Sequence, residues 1–433
     1  MQSEQFLFFR ENPGKNDFEL LENMCLLVEH GNEMEERKRE AVFYDVVSKL
    51  YKYAGENGFE GNLWHCYLTE LLVYNENPYT ISCEMRGKVE GTLANAVLHD
   101  LRIFRNLFAI DVEGLEKSIG NTKDLTIVTS YQASGKGAIK YNKFIVAQIN
   151  ELAINLANAS DVMMFKSLLD DFYGKFGVGV FGLHKAFRVE RTREMLHINP
   201  IYNIAITSLD DIVGYESQKK MLIDNTQAFL EGKKANNCLI FGDAGTGKSS
   251  SIRAILNQYY DKGLRMIEVY KHQYQELNEL IDNLKIRNYK FIIYLDDLSF
   301  EEFETEYKYL KAVIEGGLES KPDNVLIYAT SNRRHLVKET FSDKDEINGD
   351  IHKNETVQEK LSLFARFGVS IYFGSPDKKQ FSNIVLSLAK RGNIELDDNE
   401  ILARANAWEL EHGGLSGRTA RQFIDDLKGK TTK

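Results

Sequence analysis

Cysteine and proline are scarce in this sequence. Its 433 residues include four cysteines and five prolines. Cys25, Cys66, Cys83 and Cys238 show no C-x-x-C spacing, and no Cys/His cluster has the spacing of a zinc site. Buried free thiols in a reducing cytoplasm fit that pattern. Long apolar runs are also missing. None approaches the roughly 18 residues that would span a bilayer, and the opening "MQSEQFLFFRENPGK" lacks the basic start and apolar core of a signal peptide. A cytoplasmic location without a membrane partner is the expectation. Nor is there an excess of positive charge: Lys and Arg number 54 against 64 Asp and Glu, a net charge of -10. That balance weighs against non-specific binding to nucleic acid or anionic lipid, though it leaves room for a local basic patch. No internal repeat and no long low-complexity segment is present.

What is present suits a core-forming chain, with 43% hydrophobic and 27% charged residues. At roughly 100–200 residues per domain, two or three domains are expected. Pro200, in "HINPIYNIAITSLDD", separates two stretches of different character. The region 1–195 reads as mostly helical. In "AVFYDVVSKLYKY", Phe43, Val46, Val47, Leu50 and Tyr51 recur on one helix face. "FIVAQINELAINLA" and "VMMFKSLLDDFYGKF" read the same way, whereas "DLTIVTSYQ" is β-like through Ile127 and Val128. This half has no readable catalytic motif and is a candidate partner- or client-binding domain. "GVGVFG" places Gly177, Gly179 and Gly182 in a G-x-G-x-x-G pattern. A helix rather than a strand precedes it, so it reads as a turn and not a dinucleotide fingerprint. "ASGKGAIK" reads as a surface turn.

Over 196–375 short apolar segments alternate with helical ones. "CLIFG", "MIEVY", "FIIYLDD", "VLIYATSN" and "VSIYF" read as strands. Between them come helices, among them "KSSSIRAILNQYY", "ELNELIDNLK", "EYKYLKAVIEGGL" and "TVQEKLSLFARF". Almost purely apolar strands separated by helices predict a five-stranded parallel sheet with helices on both faces. Only helical signals remain over 376–433, which reads as a small helical subdomain.

"GDAGTGKS", residues Gly242, Asp243, Ala244, Gly245, Thr246, Gly247, Lys248 and Ser249, satisfies the phosphate-loop pattern G-x-x-x-x-G-K-S/T at every position. Glycines let backbone N–H groups curl around phosphates. Lys248 can reach the outer phosphates, Ser249 can ligate Mg²⁺, and the helix that follows, through Ser250, points its positive end at the same anion. "FIIYLDD" ends in Asp296, suited to the metal, and Asp297, suited to orient or deprotonate a water. Asn332, ending "VLIYATSN", can hydrogen-bond the water and the terminal phosphate. Arg366, at a helix end in "EKLSLFARFG", can stabilise a phosphate bound by a neighbouring subunit. Arg418, opening the last helix, can reach phosphates from the lid side.

Together these parts resemble the AAA+ ATPases, from about Ser208 to Lys430. "GDAGTGKSS" looks like Walker A, "FIIYLDD" like Walker B, "ATSN" like sensor 1, "ARFG" like the arginine-finger box and "SGRTARQF" like sensor 2. "LDDIVGYESQKKML" resembles the segment that packs on adenine, here through Ile212, Val213 and Gly214. The closer wording, "DDLSFEE", "YATSNRRHL" and "SGRTARQFIDDL", is similar to a bacterial AAA+ family classed as domain of unknown function 815. The resemblance implies a P-loop α/β core with a helical lid, ATP and Mg²⁺ as ligands, and a homo-oligomeric ring, a hexamer among the options.

Two departures matter. Most AAA+ enzymes carry Asp-Glu where this chain has Asp296-Asp297, which sets the base about 1.5 Å further back. A misplacement near 1 Å can cost on the order of 100-fold, unless the backbone compensates or Glu301 or Glu302 assists. "VYKHQYQELNEL" lacks the aromatic-apolar-glycine pore loop of threading unfoldases, and Tyr270 and Tyr274 sit in a helical context. "FSDKDEINGDIHKNE" reads as a polar insertion. Three functions follow: a Mg-ATP-dependent remodelling enzyme acting on a protein client, an ATP-gated switch with little turnover, and a DNA-associated loader. The last has only the small cluster Arg333, Arg334 and His335 in its favour.

Overall fold

The protein is described by a computed structural model. It covers residues 5–10, 18–119, 128–133, 140–193, 195–298, 306–315, 322–332 and 365–431. The chain divides into two compact units: Met1–His184 with Pro200–Asn203, and Lys185–Asn199 with Ile204–Lys433.

The first unit is helical: α1 (Phe18–His30), α2 (Glu36–Asn57), α3 (Leu63–Tyr74), α4 (Pro78–Arg86), α5 (Thr92–Phe108), α6 (Val112–Ser118), α7 (Lys143–Ala157), α8 (Val162–Phe176) and α9 (Gly179–Leu183). Asn62, Asn142 and Asp161 accept backbone N–H groups at the starts of α3, α7 and α8. They satisfy donors that a first helical turn leaves unpaired. α2 buries Phe43, Val46, Val47 and Leu50 on the face its spacing predicts. Buried carboxylates are hydrogen-bonded, as their desolvation requires. Asp100 on α5 accepts the N–H groups of Leu7, Phe8 and Phe9 at 2.8–3.2 Å. Asp170 on α8 accepts from the Tyr79 hydroxyl at 2.5 Å and from Lys166 at 2.6 Å.

Two sequence expectations change here. The described part of "DLTIVTSYQ" is no strand: it makes a single turn at Val128 and a lone bridge between Gly61 and Tyr131. One bridge offers no ladder for a strand to extend. "GVGVFG" is more than a turn, since Gly177 ends α8 with φ 82° and the chain then winds into α9.

The second unit contains β1 (Ala186–Arg191), β2 (Leu196–Pro200), α10 (Glu216–Leu230), β3 (Cys238–Gly242), α11 (Lys248–Tyr259), β4 (Leu264–Glu268), α12 (Leu277–Lys285), β5 (Lys290–Leu295), α13 (Glu306–Glu315), β6 (Val325–Ser331) and β7 (Val369–Phe373). It closes with α14 (Lys378–Arg391), α15 (Asp398–Glu411) and α16 (Gly417–Thr431). One seven-stranded sheet runs in the order β2-β1-β4-β5-β6-β3-β7. Strands β4, β5, β6, β3 and β7 are parallel neighbours, the five-stranded core that the alternation predicts. Five strands is nonetheless an undercount. β1 joins β4 in parallel, β2 lies beyond it, and the change of unit falls at Lys185 rather than at residue 196. β6 buries all of its residues and β5 all but the first, as a sheet covered on both faces demands.

Because the core strands are parallel, their C-terminal ends share one edge. Phe241 pairs with Ser331, and Leu295 with Ala329, so the turns after β3, β5 and β6 converge. The three C-terminal helices share a small core that includes Phe381, Ile384, Val385, Ile401, Phe423 and Ile424, and Val213 packs against it. This is an α/β fold, a largely parallel sheet with a glycine-rich loop after β3 and a small helical subdomain at its C-terminal end. Among the described residues no helix is long and apolar enough to cross a membrane.

Candidate functional site

The turn between β3 and α11 is shaped by its glycines. Gly242, Gly245 and Gly247 have φ of 133°, 76° and 101°. At Gly242 a Cβ would lie 2.1 Å from the Phe373 carbonyl oxygen on β7. Positive φ and that close approach both require glycine. We expect Gly242→Ala to cost more than about 1 kcal/mol of stability and to lower the melting temperature in the presence and in the absence of nucleotide. Thermal unfolding with and without ATP checks this.

Lys248 is 5% exposed and donates to the carbonyls of Gly242 at 3.0 Å and Asp243 at 2.6 Å. Burial lowers its pKa below the usual lysine value. Asp243, Asp297 and Asp296 pull it back up, while Arg418 adds to the lowering. An ammonium folded onto loop carbonyls and partly desolvated is poised to exchange them for phosphate oxygens.

The acidic residues follow β5. Asp296 Oδ1 accepts from the Ser249 hydroxyl at 2.9 Å and from the Thr330 hydroxyl at 2.6 Å. Burial alone would raise the Asp296 carboxyl. The hydroxyls of Thr330, Tyr294 and Ser249 and the charge of Arg253 outweigh it and hold the group below its ordinary value. Asp297 adopts φ 53°, and the Asn332 amide donates to its Oδ1 at 2.8 Å. The fold thus brings Lys248, Ser249, Asp296, Asp297 and Asn332 to one edge of the sheet, through five residues read from three separate motifs.

This donor set suits a hard divalent cation. A loop hydroxyl and one ionised carboxylate face each other, and the Tyr294 hydroxyl lies buried near that carboxylate. Mg²⁺ takes oxygen ligands and keeps several waters.

The remaining predicted residues border the loop or stand away from it. A Cβ on Gly247 would touch Ile212 Cγ2 at 3.2 Å, which places Ile212 against the loop. Val213 and Gly214, with Tyr215, Pro376, Gln380 and Ile384, line a cleft of about 130 Å³. From the lid, the Arg418 N–H donates to the Gly245 carbonyl at 3.1 Å. Ala244, Thr246 and Ser250 lie in the loop and the first turn of α11, and Thr246 Oγ1 donates to the Asp243 carbonyl at 2.8 Å. Arg366 is exposed and precedes β7 by three residues. Cys238 pairs with Val369 and Gly242 with Phe373, so Arg366 sits at the sheet edge opposite its own phosphate loop. Glu301, Glu302, Arg333, Arg334, His335 and "FSDKDEINGDIHKNE" lie outside the described residues.

Sequence reasoning missed several contributors. Ser375 donates its N–H at 2.7 Å and its hydroxyl at 2.6 Å to the Asp243 carboxylate, tying the loop to the turn that leads into the lid. Tyr215 (φ 61°) donates to the Gly374 carbonyl at 2.8 Å and stacks on Phe373 with ring centroids 4.9 Å apart. Burial, followed by Asp243, pushes its phenol up to about 12. Thr330 and Tyr294 could have been found by period. Each stands two residues before a predicted site residue on its own strand, which puts the pair on one face.

No curated protein matches this chain. Solved structures similar to it include a point mutant of Thermotoga maritima RuvB, 14% identical over 52% of this chain and 72% of that one, with a TM-score of 0.36. Another is the Thermotoga maritima RuvB Holliday junction branch migration motor, 13% identical over the same shares, with a TM-score of 0.32. Residues 182–431 match the model of a family described as a protein of unknown function, DUF815, and the chain belongs to that family.

Proposed function

We propose that this protein binds and hydrolyses Mg-ATP and uses the cycle to change the conformation of a protein client, as a homo-oligomeric ring. The observation that carries this reading is the hydrogen bond from Ser249 to Asp296, made across a complete phosphate loop whose lysine is buried beside it. Lys248 and the backbone donors at the start of α11 would receive the phosphates. The cleft at Val213 and Gly214 would take the adenine. Ser249 and Asp296 would hold Mg²⁺, which supplies charge neutralisation on the phosphates when bound. Asp297 would accept the proton of the attacking water, with Asn332 orienting that water, and Arg418 would close on the phosphates with the lid. The position of Arg366 favours action on the neighbour's nucleotide. It lies across the five residues of β7 from its own loop, roughly 13 Å of strand at the usual rise.

One observation favours the ATP-gated switch as a second reading. The Asn332 amide occupies one of the two oxygens of the Asp297 carboxylate. Turnover per subunit against protein concentration separates the two. We expect specific activity to rise as subunits assemble, and Arg366→Ala to bind ATP yet lose roughly 10³-fold in turnover. Tight binding without turnover at any concentration would support the switch. Turnover independent of concentration would defeat the ring.

A further inference from the structure

Three consecutive residues at the end of β5 are gripped by a single residue of β6. The Thr330 hydroxyl donates to Asp296 Oδ1 at 2.6 Å and accepts from the Asp297 N–H at 3.0 Å. Its carbonyl accepts from the Leu298 N–H at 2.6 Å. A hydroxyl has one donor and two acceptor sites, and here it bridges the two acids. Thr330 itself is 2% exposed. The bridge matters at Asp297, whose left-handed backbone is one that side chains other than glycine and, to a degree, Asn or Asp avoid. Tyr294, on the same face of β5 as Asp296, brings a second hydroxyl to this point. It is 3% exposed and helps to hold the Asp296 carboxyl below its ordinary value.

We propose that Thr330 and Tyr294 are positioning residues of the metal site: Thr330 fixes the carboxylate of Asp296 and the turn at Asp297, and the Tyr294 hydroxyl backs the same carboxylate. This rests on the reading of Ser249 and Asp296 as the metal-holding pair. Both Ser249 and Thr330 donate to the same oxygen of Asp296. If a cation took up Ser249, Thr330 would be the donor that remains. The aspartate then keeps its orientation without having to search for it, which is the advantage that partners behind a metal ligand confer.

The test uses the full chain with ADP and Mn²⁺, whose free form is read by electron paramagnetic resonance. ADP affinity is first measured in chelator, and Mn²⁺ is then titrated into the ADP complex. Thr330→Val keeps the shape and removes the hydroxyl. We expect its ADP affinity in chelator to match wild type and its Mn²⁺ requirement to rise about 10- to 100-fold, with Thr330→Ser restoring the wild-type titration. A Thr330→Val titration that overlays wild type overturns the proposal. So does an equal loss of ADP affinity in chelator, since that is the signature of a purely structural role. If Thr330→Val is too unstable to titrate, Tyr294→Phe decides. It removes the hydroxyl and keeps the buried ring, so packing should not suffer. A displaced Mn²⁺ titration supports the proposal and a wild-type one overturns it. Wild-type protein that binds ADP in neither condition would instead defeat the nucleotide-site reading itself.

Discussion

Lys248→Met abolishes ATP binding at millimolar nucleotide and leaves the fold intact. Methionine keeps the length and apolar stem of the lysine, so the packing of this buried side chain survives. What goes is the ammonium that now donates to the carbonyls of Gly242 and Asp243. A hydrogen bond to a charged group contributes about 1.5–3 kcal/mol. Two lost from a bound polyphosphate amount to about 3 kcal/mol or more, at least roughly 100-fold in affinity. Calorimetric titration with ATP checks the loss, and circular dichroism with thermal melting checks the fold.

The same lysine predicts a pH dependence. Without nucleotide, its pKa lies below the ordinary lysine value, chiefly through burial. Bound phosphates favour the charged form and would raise it. Binding therefore takes up protons at alkaline pH. Affinity is full where the free protein already holds Lys248 protonated, and it declines as pH rises through the depressed pKa. Arginine stays charged over that range, so Lys248→Arg, whatever its absolute affinity, should lose this slope. A wild-type affinity that is flat from neutral to alkaline pH would mean that the lysine does not meet the phosphates.

The site was readable wherever its chemistry is local in sequence. A phosphate loop needs glycines, a lysine and a hydroxyl within eight positions, and all of them stand together in the sequence. The core strands were readable because a doubly covered parallel sheet demands unbroken apolar runs such as "FIIYL" and "VLIYA". β1 and β2 were not, since "AFRVER" is short and carries three charges, and "LHINP" is a short, partly exposed strand at the sheet edge. Their strand character comes from the neighbour they join rather than from their own pattern. Contacts made across long chain separations were equally invisible. Asp100 meets Leu7, Phe8 and Phe9 some ninety positions away, and Asp243 meets Ser375 across 132. Strand period puts Thr330 on the face of Asn332, but only the strand order places it beside Asp296. Each of these depends on strand order or helix packing, which periodicity does not encode.

The shortened acid decides between an engine and a switch. We expect Asp297→Asn to bind ATP as wild type does and to lose about 10²- to 10⁴-fold in turnover, the usual worth of a general base. Asparagine is the right replacement. It matches aspartate in size and is among the few residues that tolerate φ 53°, so the turn held by Thr330 is preserved. The left-handed turn also bears on the missing methylene, since a backbone rotated out of the strand path re-aims the carboxylate. That carboxylate accepts from the Asn332 amide at 2.8 Å. For catalysis the amide must let go, and the terminal phosphate is the acceptor that can draw it away. Asn332→Ala therefore carries a diagnostic sign. If Asn332 only restrains the base, its removal raises basal turnover. If it also orients the attacking water, its removal lowers turnover with ATP binding unchanged. We expect the loss, because the amide stands at the end of β6, on the edge where the phosphate loop opens. Steady-state turnover of both variants at saturating ATP, beside their ATP affinities, checks each expectation. An Asp297→Asn enzyme indistinguishable from a slow wild type would leave the loop as a nucleotide-holding switch.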